Sequence, residues 1–422
     1  MIFELEQYFD RLFPINRSLT GNGNRETLKI LSEIVDLQLH EVPSGTTCFD
    51  WTVPPEWNVM EAWIKSSSGE TIVNFKDLNL HLLGYSIPFR GRMSLQELKS
   101  HLFSIPEMPE TVPYLTSYYK ENWGFCLKHS QLISLKEDTY EILIDSELNP
   151  NGSMTYGEAF LKGESEEEIL FSTYICHPSL ANNELSGPLV TSFIYKLLKG
   201  KKLRYNYRFL FLPETIGAIY YLSRYGSKLR DKLIAGFVVT TIGDNAPFTY
   251  KRSRMGDALP DRAVEMVLSQ TEKDYTIEDF FPNGSDERQY CSPGFNLPVG
   301  SLMRTRYGKY REYHTSDDNK SFISFDAMQK SVEKYIEVVD VIEKNRIYTN
   351  HSPFCEPHLG KHGLYPTLGS QKVVKEYVNA TLWLLNLADG SNDLITISNR
   401  SKINFNLLVQ VANELLKHGL IQ

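Results

Sequence analysis

The stretch FSTYICHPSLANNELSGPLV, residues 171–190, joins a predicted buried strand to a predicted helix through a turn rich in potential ligands. Residues 169–175 are an apolar run of strand length, and His177 follows directly. The Ser-Gly-Pro at 186–188 predicts a helix start with Ser186 as its N-cap. Open α/β sheets bind ligands where their strands end, so this turn is the first candidate site. The structural alternative is a well-capped loop whose histidine bonds to backbone.

The same arrangement recurs three times along the chain. Further buried strands are predicted over 207–212, 234–242 and 299–303, and each leads into a loop with a titratable group. The carboxyl ends of parallel strands share one edge of a sheet. The side chains expected to converge there are His177, Glu214, Asp244 and His314.

Composition is that of an ordinary globular enzyme. The chain has 422 residues, enough for two or three domains, with 41% hydrophobic and 23% charged residues. A net charge of -8 argues against a surface built for nucleic acid or anionic membrane. The five cysteines are scattered and form no C-x-x-C pair, which is typical of a reduced compartment. No apolar run approaches membrane-spanning length and the N-terminus is not signal-like, so a cytoplasmic protein is predicted.

Changes in amino-acid composition and hydrophobic pattern along the chain predict three parts. An α/β domain is expected from residues 1–43 and 136–350, interrupted by an aromatic-rich, mainly β insertion at 44–135. Residues 351–422 are expected to form a Gly/Pro/His-rich connector and a compact helical tail. The tail helices are predicted at about 372–388, 392–400 and 404–418.

The candidate residues suit a metal-dependent hydrolase. His177 and His314 are the best zinc ligands, since neutral imidazole suits zinc. Asp244 is the expected third ligand, with Glu184 as its substitute. Glu214 suits a general base at a strand-to-helix turn, although a helix N-terminal acid would look the same. Asp317 or Asp318 is expected to orient an imidazole by accepting a hydrogen bond from it, and not to bind the metal itself.

The segment 282–313 adds arginines and acids. Arg288, Arg304 and Arg306 are candidates for holding a substrate carboxylate or phosphate, because a guanidinium binds such groups in a bidentate manner. Each could equally be a surface salt bridge. Asp286 lies in the same segment and is expected to contact the ligands of the metal rather than the metal itself.

Several motifs resemble the zinc-dependent aminopeptidase and glutamate carboxypeptidase-like superfamily. They are CHPSLANNELSGP (176–188), LPETIGAIYYL (212–222) and EYHTSDDN (312–319). The likeness is greatest to a bacterial branch of uncharacterised aminopeptidase-like proteins, some of them labelled as linked to polysaccharide biosynthesis. It implies a phosphorylase/hydrolase-like, three-layer α/β body with a mixed, mostly parallel sheet. It also implies a small inserted domain and a C-terminal winged-helix module.

Three positions depart from the pattern of that superfamily. The aspartate that bridges two metals in the aminopeptidases is Asn183 here, a neutral and poorer ligand. The metal-binding glutamate that follows their base is Thr215, and a further ligand aspartate falls on Thr240. A two-metal clamp is therefore hard to build, and the resemblance favours one zinc ion over two.

The sequence thus predicts a zinc-dependent hydrolase of the aminopeptidase type, acting on an amide bond of a small peptide or amino-acyl conjugate. The rival hypothesis is a catalytically impaired binding or regulatory protein that senses a small ligand in the cleft. Nucleic acid is not expected as a partner, because the predicted recognition helix 404–417 brings only three basic residues nearby. A membrane is not expected either. The oligomeric state is left open, a homo-oligomer included, as are the substrate and the end from which it is cleaved.

Overall fold

The computed structural model describes residues 1–364 and 371–422. These residues form two compact units. The first unit comprises Met1–Pro260 with Asp274–Tyr335, and the second comprises Asp261–Lys273 with Ile336–Gln422.

An eight-stranded mixed sheet lies in the first unit. Four of its seven pairings are parallel and three are antiparallel. The central strands are buried along their whole length, which explains their continuous apolar sequences. The strands, in spatial order, are Gln38–Pro43, Ser153–Leu161, Asn206–Leu212, Glu168–Tyr174, Leu233–Val238, Val299–Met303, Phe248–Lys251 and Tyr275–Glu278.

The predicted mixed, mostly parallel sheet is confirmed. The four predicted strands are neighbours in it and run parallel, so their carboxyl ends share one edge. The predicted strand 234–242 ends earlier, at Val238, and the residues after it form the loop that carries Asp244.

The helices of the first unit include long segments at its N-terminus and after the sheet strands. The prediction that Ser186 is an N-cap is wrong. A π-helical turn, Ala181–Leu185, runs directly into the helix Ser186–Leu198, and Ser186 Oγ donates to the carbonyl of Asn182 at 2.6 Å. The backbone N–H groups at the start of this turn are bound by Asp318 instead.

The other helices that lie wholly in this unit are Ile2–Leu12, Asn22–Leu31, Leu95–Leu98, His129–Ser134, Ile216–Lys232 and Glu287–Tyr290, with 3-10 turns at Asn79–His81 and Lys99–His101.

A second, four-stranded antiparallel sheet also lies in the first unit. Its order is Thr71–Asn74, Glu56–Lys65, Thr139–Asn149 and Phe89–Ser94. The mainly β insertion is predicted to end at residue 135, yet the strand Thr139–Asn149, which follows that boundary, pairs within this sheet. That the insertion is a domain of its own stays a prediction. Two short ladders complete the unit, Thr47–Cys48 with Trp51–Thr52 and Leu102–Phe103 with Phe125–Cys126.

The second unit contains the helical tail. Its three helices, Gln371–Leu387, Leu394–Ser401 and Phe405–Lys417, agree closely with the predicted ones. The strands Ile347–Thr349 and Asp389–Asp393 pair antiparallel beside them, and a 3-10 turn covers Leu359–His362. Part of the predicted connector, residues 365–370, lies outside the described residues. The helices Leu259–Thr271 and Phe325–Lys344 each extend from one unit into the other along the chain.

Hydropathy along the described helices shows none with the length and apolar character needed to cross a bilayer.

Candidate active site

Three of the four predicted strand-end groups come together. His177 Nε2 lies 3.8 Å from Glu214 Oε2, and the rings of His177 and His314 are 5.4 Å apart between centroids. The ring of Tyr114 packs against both imidazoles, at 5.1 and 5.2 Å. The loops after three separate strands therefore meet at one edge of the sheet, as the sequence predicts.

His177 is fixed by a buried carboxylate. Its Nδ1 lies 3.0 Å from Glu184 Oε2, and its backbone N–H donates to the same oxygen. The other oxygen, Glu184 Oε1, accepts from Arg17 Nε at 2.7 Å. Burial lowers the pKa of His177, but the hydrogen bond and charge of Glu184, followed by the charge of Glu214, raise it above its usual value. The imidazole thus presents Nε2 to Glu214 in a set orientation.

His314 offers a neutral imidazole. Burial, followed by the charge of His177, lowers the pKa of His314 to about 3, so its ring carries no proton beyond the neutral form at neutral pH. Its Nε2 is buried and has no hydrogen-bond partner among the described residues. The residue adopts a left-handed backbone, with φ of 56°, and its carbonyl accepts from the N–H of Tyr114 at 2.8 Å. A neutral imidazole with an unpaired nitrogen is competent to bind a metal.

Glu214 lies at the wall of a cavity of about 240 Å³. Its side chain is 25% exposed, and its backbone N–H donates to Cys176 Sγ at 3.2 Å. Burial raises the pKa of Glu214, while the charges of His177 and Arg288 oppose that change. The cavity is lined by Leu19, Trp51, Tyr118, Tyr119, Cys176, Glu214, Thr215, Ile216 and Arg288.

The backbone next to Glu214 is strained. Thr215 has φ of 65°, which is unfavourable for a β-branched residue. Asp286 holds this conformation, because its Oδ1 accepts from the N–H of Thr215 at 2.7 Å. Such strain persists only where the surroundings enforce it, and it is concentrated at functional sites.

The positions that depart from the aminopeptidase pattern are hydrogen-bonded to one another. The hydroxyl of Tyr174 donates to Asn183 Oδ1 at 2.5 Å and lies 2.5 Å from Thr240 Oγ1. Burial raises the pKa of Tyr174 well above its usual value, so the phenol stays protonated. Three neutral side chains bound to each other do not fit a second divalent ion.

The predicted ligand role of Asp244 is not supported by its contacts. Its Oδ2 accepts from Asn182 Nδ2 at 2.9 Å and from the N–H of Thr305 at 3.1 Å. Its Oδ1 accepts from Thr305 Oγ1 at 3.0 Å and from the N–H of Ala246 at 2.8 Å. Both oxygens are thus used to tie neighbouring loops together.

The two aspartates after His314 behave differently from each other. Asp318 accepts from the N–H groups of Asn182 and Asn183 at 2.6 and 2.9 Å, and burial raises its pKa to about 6. It therefore supports the π-helical turn that carries Glu184, rather than an imidazole directly. Asp317 is only partly buried, and its N–H donates to Thr315 Oγ1 at 3.2 Å.

One of the three candidate arginines faces the cavity. Arg304 donates to the carbonyls of Ala246 and Ala327, at 2.7 and 3.1 Å, which gives it a structural role. Arg306 pairs with Glu278 at 2.9 Å. Arg288 lines the cavity beside Glu214, so it is the arginine placed to meet a ligand.

The site contains side chains of the kind that zinc takes as ligands. The imidazoles of His177 and His314 are suitable nitrogen ligands, with the carboxylate of Glu214 next to them. A tighter group, Cys176, His177 and Glu184, has donor atoms within 4.8 Å of one another. Glu184 is already bound by Arg17, and burial raises the pKa of the Cys176 thiol well above its usual value. That group is therefore better described as the support of His177.

Sequence reasoning missed Arg17, Tyr114 and Tyr174. Arg17 is an isolated basic residue in a polar loop, 167 residues before its partner Glu184, so no local signal marks it. Tyr114 lies in the aromatic-rich region, whose pattern indicates only strands. Tyr174 precedes the histidine by three residues in a buried strand, where a polar hydroxyl without a partner would be costly, and that is a usable signal.

The fold is that of the aminopeptidases. The zinc aminopeptidase BSAP from Bacillus subtilis superposes with a TM-score of 0.60 at 10% identity, over 81% of this chain and 93% of that one. A crystal structure of a Clostridium acetobutylicum protein described as a candidate peptidase gives a TM-score of 0.93 at 46% identity, covering 100% of this chain and 96% of the other.

Residues 6–345 match the model of a domain of unknown function (DUF4910), and the chain belongs to that family. Residues 346–422 match a winged helix-turn-helix model, which confirms the predicted C-terminal module. A Clostridium acetobutylicum protein whose name refers to polysaccharide biosynthesis and an aminopeptidase-like domain is 48% identical over 419 residues, 99% of this chain and 96% of that protein.

Proposed function

We propose that the cavity beside Glu214 is the active site of a hydrolase that cleaves an amide bond. The observation that carries this proposal is the line from Glu184 through His177 to Glu214. A buried carboxylate fixes one imidazole nitrogen at 3.0 Å, and the other nitrogen faces a second carboxylate at 3.8 Å. Carboxylate–imidazole pairs of this kind orient metal ligands in hydrolytic sites.

His177 and His314 would hold a single zinc ion, which would supply Lewis-acid activation of the amide carbonyl and of water. Glu214 would take the proton of the attacking water at its carboxylate and pass it to the leaving nitrogen. Its raised pKa brings it closer to the working pH of a general base. Tyr114, packed on both imidazoles, would keep the two rings in place.

The cavity is suited to a small substrate. Its volume of about 240 Å³ is below the roughly 300–1,000 Å³ of pockets for drug-sized ligands. Leu19, Trp51 and Ile216 give it an apolar wall, so one amino-acid side chain of a peptide or amino-acyl conjugate would fit. Because a relative's name refers to polysaccharide biosynthesis, we extend the proposal to a conjugate from that chemistry.

Metal content and turnover test this function together. We expect about one zinc per chain, lost in His177→Ala and His314→Ala and retained in His129→Ala, whose ring lies 3.0 Å from Ser104 Oγ elsewhere. Glu214→Gln should lower amide hydrolysis by a factor on the order of 100 or more while zinc content stays the same. Full turnover in Glu214→Gln would refute the role of the base.

A second function is favoured by the neutral set of Tyr174, Asn183 and Thr240. Asn183 stands where a metal-bridging carboxylate would be needed. Its side chain is hydrogen-bonded to Tyr174, whose hydroxyl also contacts Thr240. A protein that keeps the cavity and senses a small ligand without chemistry would have this arrangement. Metal-free protein of unchanged stability, with no amidase activity, would support this second function.

A further inference from the structure

In the part of the chain that the structure describes, Arg288 has no carboxylate partner of the kind that three other arginines of the first unit have. Arg17 pairs with Glu184, Arg208 with Glu158 and Glu168, and Arg306 with Glu278. Within residues 1–364 and 371–422, the Arg288 guanidinium makes one hydrogen bond, from Nη2 to Thr215 Oγ1 at 3.1 Å. Its Nε is buried without a hydrogen-bond partner among the described residues, where it also forms no direct ion pair. A guanidinium at a cavity wall with unused donors is arranged for an anion.

The cavity offers little for a positively charged group. Glu214 is the acid among its lining residues. If a substrate ammonium paired with Glu214, that carboxylate could no longer take a proton from water. Glu184 is already bound by Arg17, and the open oxygen of Asp286 is buried behind Thr215. The cavity therefore has a guanidinium, that of Arg288, available to bind an anionic group, and no carboxylate available to bind a cationic one.

The remaining wall is apolar and aromatic. Trp51 and Tyr119 are 39% and 53% exposed, with their rings 5.8 Å apart in an edge-to-face arrangement. Large exposed aromatics beside a cavity are suited to an apolar side chain or ring. A ligand with a carboxylate at Arg288 could thus place its side chain on Trp51 and Tyr119.

We infer that Arg288 binds the free α-carboxylate of the substrate. The chain would then release an amino acid from the carboxyl side of an amide, as from an N-acyl amino acid, rather than remove an N-terminal residue. The inference rests on the proposed hydrolase for its cleavage step, but binding of the carboxylate does not depend on turnover. The apolar wall adds a preference for an aromatic side chain on the released amino acid.

Calorimetry on the full chain with zinc present tests carboxylate binding. The probes are N-acetyl-L-phenylalanine, its carboxamide, and L-phenylalaninamide, which has a free amine and no carboxylate. We expect the carboxylate probe to bind roughly 30-fold tighter than either amide, as for the loss of one partner of a buried charge pair. Arg288→Ala should abolish this preference and Arg288→Lys should retain part of it. The matched control is Arg254→Ala, an exposed arginine that donates to Asn296, and it should bind like the wild type.

Two binding results would overturn the inference. One is equal binding of carboxylate and carboxamide probes, and the other is a carboxylate preference that survives Arg288→Ala. Hydrolysis of L-phenylalaninamide at the same rate with and without Arg288 would also overturn it while leaving the hydrolase intact. Conversely, Arg288-dependent binding without any turnover would support the carboxylate site and reject the hydrolase. If turnover occurs, Arg288→Ala should raise KM for the carboxylate substrate and leave kcat nearly unchanged.

Discussion

Arg17 and Glu184 form an ion pair of 2.7 Å in which neither side chain reaches solvent. The same glutamate fixes the imidazole of His177, and Arg17 Nε also donates to the carbonyl of His177 at 3.0 Å. The N-terminal segment is thereby linked to the first strand-end loop of the site. The orientation of His177 therefore depends on Arg17, which is not among the residues that line the cavity.

Replacing Glu184 with glutamine should cost substantial stability. The change keeps the shape of the side chain but leaves Arg17 buried without a counter-charge, which costs about 3–5 kcal/mol for pairs of this kind. Equilibrium unfolding in urea, followed by tryptophan emission, measures the loss. Four of the five tryptophans, Trp51, Trp57, Trp63 and Trp123, lie in the first unit.

The matched control is Glu33→Gln, which removes the partner of Arg11 in a pair where both side chains are 46% exposed. That change should cost less than about 1 kcal/mol. Equal effects of the two substitutions would show that burial of the Arg17–Glu184 pair has no energetic consequence.

The sequence predicted the sheet and the convergence of its loops because these depend on local patterns. Continuous apolar runs at 207–212 and 299–303 gave strands that the structure confirms. Titratable residues directly after such strands must lie at one edge of a parallel sheet, so His177, Glu214 and His314 could be grouped.

The partners of those groups could not be predicted, because they depend on contacts between distant segments. Nothing near Asp244 in the sequence indicates that Thr305 and Asn182 use both of its oxygens. The N-cap predicted at Ser186 is wrong for the same reason, since Asp318, more than 130 residues later, binds the preceding N–H groups. Propensity describes a segment, whereas these hydrogen bonds belong to the assembled fold.

Glu56 should make stability depend on acid pH. Arg25 binds both of its oxygens, at 2.7 and 2.8 Å, and this pairing lowers the pKa of Glu56 from 4.5 to about 2. Because the folded-state pKa lies below the unfolded one, the stabilisation is complete above pH 4.5 and is lost as pH falls towards 2. The shift corresponds to about 3 kcal/mol. We expect about 2 kcal/mol after solvent screening, since Arg25 is 31% exposed.

Urea unfolding of wild type and Glu56→Gln at pH 7, 4 and 2.5 measures this contribution. The difference between the two proteins should shrink as pH falls through that range. A difference that stays constant with pH would show that the pKa of Glu56 is not lowered by folding.

Tyr174→Phe tests the hydrogen bonds that join the neutral side chains of Tyr174, Asn183 and Thr240. The substitution removes one hydroxyl and leaves Asn183 Oδ1 and Thr240 Oγ1 buried without their shared partner. Leaving buried polar groups unsatisfied costs about 2 kcal/mol. Urea unfolding measures the loss, and zinc content should not change, because Tyr174 is not expected to be a ligand.

The control for Tyr174 is Tyr195→Phe. Its hydroxyl donates to Asp36 at 2.8 Å, and Asp36 is 65% exposed, so water can replace the lost bond. We expect a change below about 1 kcal/mol. A higher zinc content in Tyr174→Phe than in wild type would contradict a purely structural role for that hydroxyl.

Gly187→Ala should destabilise the helix that follows the π-helical turn. A Cβ at this position would lie 2.4 Å from the carbonyl oxygen of Val239 and 2.6 Å from Thr173 Oγ1. The helix Ser186–Leu198 can approach the two strand ends this closely only because residue 187 has no side chain. Forcing a methyl group into so tight a contact costs about 3 kcal/mol, measured as a lower urea midpoint. Gly294→Ala is the matched control, since a Cβ at that position would have no atom within 4 Å and its φ is not positive, and it should leave the midpoint unchanged. The displaced helix follows directly on the turn that carries Glu184, so Gly187→Ala should also weaken zinc binding. Normal zinc affinity in a destabilised variant would show that the close packing of this helix does not affect the site.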